Sequence, residues 1–172
     1  MAIIYRNFRI GLGNAGPILL LYFLSITEID TEFSKTFDIL SFNLQLIVIY
    51  YWALKSPDIL GNSHIFFAGV INDLIMALPM GTSAISYLIV AFVASYIKNV
   101  TVNNSLMTDW FTFFIAIFFS NLTYLILISN FSDYGLSYTN LFYNSFFTFL
   151  FYPLFWIIFN IYKALIIVKF ND

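Results

Sequence analysis

Cysteine is absent from this chain of 172 residues, histidine occurs once, and proline and glycine are sparse at 4 and 7 residues. Without cysteine there are no disulfides, thiolate metal sites or cysteine nucleophiles. A single histidine, His64, excludes the multi-ligand histidine sites that metals and haem require. Charge is scarcer still. Basic residues number 7 and acidic residues 9, so charged side chains make up 9% of the chain, against about 25% in a soluble domain. Such a chain cannot cover its own surface with polar groups. What it has instead is 61% hydrophobic and 22% aromatic residues, with a mean hydropathy of +0.88. This composition describes an integral membrane protein, and the length predicts one domain, residues 1–172.

A membrane-crossing helix needs about 20 mostly apolar residues, fewer where other helices shield its ends. Six segments qualify: Ile10–Ile26, Ile39–Leu54, His64–Leu78, Thr82–Ile97, Trp110–Ile128 and Leu141–Ile167. Short strands of alternating polarity, the signature of a barrel, are missing. The predicted fold class is therefore all-α, a polytopic bundle of six transmembrane helices. Gly11, Gly13, Asn14, Gly16 and Pro17 are expected to break the start of the first span, which reads as a retained helix and not a cleaved leader. With six spans, Arg6, Arg9, Lys55, Lys98, Lys163 and Lys169 share one side and only Lys35 lies on the other. The positive-inside rule makes the crowded side, and both termini, cytoplasmic.

Asp73 interrupts the apolar run that closes on Pro79, Met80 and Gly81. An ionised carboxylate at mid-span costs roughly 2.5–3.5 kcal/mol on insertion scales unless it is partnered. Gly69, Asp73, Ala77 and Gly81 recur every four residues, a spacing that puts them in one row of a helix. Small residues in such a row let another backbone approach closely. The row therefore predicts a bundle-packing or partner-binding face. Expected partners for the carboxylate are Tyr87 of the fourth span, Asn121 or Tyr124 of the fifth, and Ser145, Thr148 or Tyr152 of the sixth. Pro153 bends the last span beside the polar stripe Ser145, Thr148, Tyr152 and Trp156. Trp52 and Trp110 read as interfacial anchors.

Catalytic groups are not evident. No base stands near the serines, no second membrane-embedded acid, lysine or arginine is expected to make a relay (the last span is long enough for Lys163 to extend beyond the membrane), and His64 reads as an interfacial helix-start residue. The glycine-rich stretch Gly11–Gly16 follows no strand and lacks the Lys-Ser/Thr of a nucleotide loop. No catalytic, metal or cofactor residues are predicted, and no nucleic-acid partner.

The stretch Tyr51–Tyr96 resembles the MreD family of bacterial rod shape-determining membrane proteins. That family shows an aromatic-rich YWAL at a helix end, a short basic turn with proline, and a helix reading roughly G-x-x-x-D-L-x-x-G-x-x-L-G. The corresponding residues are Tyr51–Leu54, Lys55, Pro57, Gly69, Asp73, Leu74 and Gly81; Ala77 stands where the family commonly has glycine, and Met80 where it has leucine. The resemblance implies a non-enzymatic scaffold subunit of the cell-elongation complex in the inner (cytoplasmic) membrane. It also implies binding to the single-span protein MreC, and through it to MreB and the peptidoglycan synthases. The family's bundle is similar to the substrate-binding subunits of energy-coupling-factor transporters. A vitamin-like small-molecule carrier, capped by external loops Thr27–Asp38 and Ser129–Asn140, is thus the alternative.

Overall fold

A computed structural model describes residues 2–27, 42–101, 105–131 and 138–164, with side chains described for 15–27, 42–101, 105–130 and 138–164. The described residues form helices α1 (Ala2–Thr27), α2 (Leu44–Lys55), α3 (Asn62–Ile75), α4 (Thr82–Val100), α5 (Leu106–Phe131) and α6 (Tyr138–Tyr162), with no strand among them. Helices α4, α5 and α6 are long and apolar enough to cross a membrane. The 12 residues of α2 and 14 of α3 rise only about 18 and 21 Å.

Every residue from Gln45 to Leu54 is buried, so α2 has no outward side. It is the axle of the bundle. It packs on α1, α4, α5 and α6 and reaches α3 through the Gln45–Asn72 hydrogen bond. The outer helices pack in the order α1, α3, α4, α5, α6. The ring closes where Gly16 of α1 meets the Tyr162 hydroxyl, leaving no room for a Cβ.

Outside, the bundle is apolar. Phe111, Phe114, Phe118 and Ile126 of α5, Phe142, Phe146, Leu150, Leu154 and Ile158 of α6, and Phe92 of α4 are all exposed. Inside lie Gln45, Asn72, Asp73, Thr82, Ser83, Ser86, Asp109, Ser120 and Thr148. Polar groups within and hydrocarbon without is the arrangement a lipid solvent demands.

Three expectations are corrected. The glycines and Pro17 do not break α1, which is helical throughout. The third helix starts at Asn62 and stops at Ile75, short of Leu78. Trp52 is no interfacial anchor: it is buried among Tyr51, Phe159 and Tyr162. Arg6, Arg9, Lys35, Lys169 and most of the two external loops lie outside the residues whose side chains are described.

Candidate functional site

Polar side chains gather at two centres toward opposite ends of the bundle. The first is the turn between α3 and α4. Its α3 end is a Schellman-type stop, in which Leu78 N–H donates to the Asp73 carbonyl at 2.9 Å. That motif places Ala77 at a φ of 51°, in the left-handed region that glycine favours. Ala77 therefore leaves the helical row predicted for it. Gly81, at φ 98°, is the N-cap of α4. A glycine has no side chain with which to cap, and Asp73 supplies the group from the neighbouring helix. Its Oδ2 accepts Gly81 N–H at 2.8 Å and its Oδ1 accepts Ser83 N–H at 2.7 Å. The positive end of the α4 dipole faces the carboxylate as well.

Asn121, Ser145, Thr148 and Tyr152, expected to partner Asp73, are engaged elsewhere. Asn121 donates to Ser145 Oγ, Thr148 accepts Asn43 N–H, and Tyr152 sits with Tyr50 and Phe113. Tyr87 is buried in α4. A residue adjacent to Asp73 does more than the sequence suggests. Asn72 accepts from Gln45 Nε2 at 3.3 Å and donates to Ser83 Oγ at 3.1 Å, tying α2, α3 and α4 together. Gly69 lies two turns before the C-terminal end of α3, and a Cβ there would stand 2.6 Å from the Ala84 amide nitrogen. The small-residue face is thus filled by α4 of the same chain. Beyond it, Pro79, Met80, Gly81, Thr82, Ile85 and Leu127 line a half-open cavity of about 500 Å3, with Met80 72% exposed at its edge.

The second centre corrects the expectation that no second acid lies within a span, since Asp109 belongs to the apolar helix segment Leu106–Asn130. Asp109, in the first turn of α5, is 1% exposed. Its Oδ2 meets Lys55 Nζ at 2.7 Å and accepts the Trp156 indole N–H at 3.0 Å. Lys163 Nζ donates to the Lys55 carbonyl at 3.1 Å, capping the C-terminal end of α2 where a cation is favoured. Burial, with Lys55 and Lys98 nearby, holds the Lys163 ammonium below the ordinary lysine pKa. Lys55, Lys98 and Lys163, assigned to one side by the charge count, thus meet at one end of the bundle.

The polar stripe of α6 faces inward along its length. Ser145 meets Asn121, Thr148 meets Asn43, and Trp156 meets Asp109. Pro153 lies within a helix that continues on both sides of it. Proline has no N–H for the carbonyl four residues earlier, that of Phe149. Trp110 Nε1 donates to this carbonyl at 2.8 Å, and its ring stacks on the Phe149 ring at 5.1 Å. Trp110 is thus a half-buried brace between α5 and α6.

Among the described residues no three His, Cys, Asp or Glu side chains converge as a metal site requires. His64 is exposed and its Nδ1 pairs with the Tyr22 hydroxyl at 3.2 Å. No protein-family model, curated protein or solved structure matches the chain.

Proposed function

We propose that this chain is a non-enzymatic scaffold of the MreD type. In this reading it crosses the bacterial cytoplasmic membrane six times with both termini inside, and docks an MreC-like single-span protein. The observation that carries the proposal is the stretch Tyr51–Tyr96, whose YWAL, Lys-Pro turn, Gly69, Asp73, Leu74 and Gly81 carry the resemblance. That stretch comprises the end of α2, all of α3 and most of α4. Asp73 and Gly81 meet in it through one hydrogen bond.

The Gly69–Asp73 face is closed by α4, so the docking surface is placed at the turn itself. Met80 and the cavity beside Ile85 and Leu127 offer an apolar ledge to a partner helix or juxtamembrane segment. The turn is held from behind by Asp73 and Asn72, which suits a rigid platform.

The test is co-purification of the tagged chain with a co-expressed MreC-like protein from the same genome, comparing wild type with Met80→Glu. Met80 is exposed, so the variant leaves the fold intact. The expected result is capture by wild type and at least a tenfold loss in the variant. Equal capture by both moves the partner away from this turn, and capture by neither refutes the scaffold. A stoichiometric small molecule retained by the purified chain, detected by mass spectrometry, would support the carrier reading instead.

A further inference from the structure

Three lysines converge where the long helices end. Lys98 lies in the last turn of α4, Lys55 in the last turn of α2, and Lys163 directly follows α6. Helix α5 begins at the same end, with Asp109 in its first turn. Because α4, α5 and α6 are the helices long and apolar enough to cross a membrane, ammonium groups at their ends stand at the depth of lipid headgroups.

This end holds more cations than it neutralises. Asp109 is spent on Lys55, at 2.7 Å from Nζ. The other described carboxylate here, the exposed Asp58 of the α2–α3 connection, makes no ion pair with a described residue. Lys163 is half-buried, and its Nζ is held in place by donation to the Lys55 carbonyl at 3.1 Å. That bond uses one of its three N–H groups. The charges of Lys55 and Lys98 both act on it. Gathering like charges is unfavourable by itself, and an anion among them reverses the sign of that term. The surroundings of the cluster are apolar: Tyr96 and Val100 of α4, Met107 of α5 and Ile161 of α6 are exposed.

We propose that Lys98 and Lys163, with Lys55 behind them, form a binding site for the phosphate of an anionic phospholipid, whose acyl chains run along the apolar outer faces of α4, α5 and α6. Each part of the site selects one part of that ligand. A lysine ammonium is a compact point charge that accepts phosphate oxygens from many directions, and basic pockets between membrane helices take phosphate headgroups in this way. A zwitterionic lipid would carry its own cation towards the lysines, so a net negative headgroup is preferred. A soluble phosphate gains nothing from the exposed apolar side chains, whereas a lipid lays its chains against them. The inference needs only that α4, α5 and α6 cross a membrane, and it is independent of the scaffold reading.

Native mass spectrometry of the full chain in detergent micelles, titrated with phosphatidylglycerol or phosphatidylcholine, tests it. Wild type is expected to retain phosphatidylglycerol in preference. Lys98→Gln and Lys163→Gln should each weaken that binding about fivefold, the effect of one lysine near a membrane surface, and leave phosphatidylcholine binding unchanged. Lys98 is exposed, so its variant reports even where Lys163→Gln, which uncaps α2, fails to fold. Lys35→Gln makes the same change of charge on the side that the charge count sets opposite, and should bind like wild type. Equal retention of the two lipids by wild type overturns the proposal. Unchanged binding in Lys98→Gln, or equal weakening in Lys35→Gln, overturns the location. Displacement of phosphatidylglycerol by inorganic phosphate would make this a site for a soluble anion, and displacement by a polyglutamate peptide one for an acidic protein segment; either result overturns the lipid.

Discussion

Trp110 completes the hydrogen bond that Pro153 leaves open, donating its indole N–H at 2.8 Å to the Phe149 carbonyl one turn before the proline. The two residues sit on different helices and act as one structural unit. Trp110→Phe keeps the stack on Phe149 but orphans the carbonyl in a low-dielectric setting. The expected cost is about 1–3 kcal/mol. Pro153→Ala restores the helical donor, so the double variant should be more stable than Trp110→Phe alone. Thermal unfolding of the four proteins in one detergent measures the coupling, and additive effects would show that the indole does not serve the proline.

Replacing Asp73 separates capping from packing. Asp73→Leu removes both acceptors for the Gly81 and Ser83 amides and is expected to destabilise by about 2–4 kcal/mol, since two buried donors lose their partners. Asp73→Asn retains one acceptor and should lose about half of that. Equal stability of both variants would mean that the α4 amides find other acceptors.

Ala77→Gly should stabilise the chain. The left-handed φ of 51° costs an L-residue roughly 1–2 kcal/mol, and the greater entropy lost on folding a glycine returns roughly 0.5–1 kcal/mol of this. A net gain of about 0.5–1 kcal/mol is expected, read as a raised unfolding midpoint.

Gly69→Ala tests the α3–α4 contact. Its added methyl would stand 2.6 Å from the Ala84 nitrogen, so the helices must part, at a cost of about 1–3 kcal/mol. Gly61, where a Cβ meets nothing within 4 Å, is the control. Gly61→Ala should change stability far less.

Lys55 and Asp109 should show the asymmetry of a buried pair. Lys55→Met strands the carboxylate and Asp109→Asn strands the ammonium, each at about 3–5 kcal/mol. The double variant leaves no charge, while the Asn amide oxygen still receives Trp156. It should recover most of the loss, as judged by the yield of monodisperse protein and its unfolding midpoint.

Helix α4 is legible in the sequence to within a few residues, because Gly81 and the long apolar run after it mark its start and length. The burial of α2 is not legible. Leu46–Leu54 is apolar on all sides, and lipid or protein neighbours satisfy such a surface equally well. Trp52 reads as an anchor for the same reason: its distance from a helix end is visible, its neighbours are not. Asp109 reads as the last residue of a loop, since nothing local distinguishes an exposed helix-start acid from one that receives a lysine from a remote segment. Asp73 stands out because its surroundings in sequence are apolar. Its partners escape notice because they are backbone amides, which every residue carries.

The complete enclosure of α2 bears on how the chain is made. A ribosome delivers this helix to the membrane before α3, α4, α5 and α6 exist, when only α1 is present to shield it. At that stage Lys55 lacks both its counter-charge from Asp109 and the cap that Lys163 places on its carbonyl. The axle must therefore wait, loosely held at the translocation site or the bilayer edge, until the last helix is synthesised and the ring can shut around it. Chains truncated before α6 are incomplete at their centre, not at their rim, and quality-control proteases should clear them quickly.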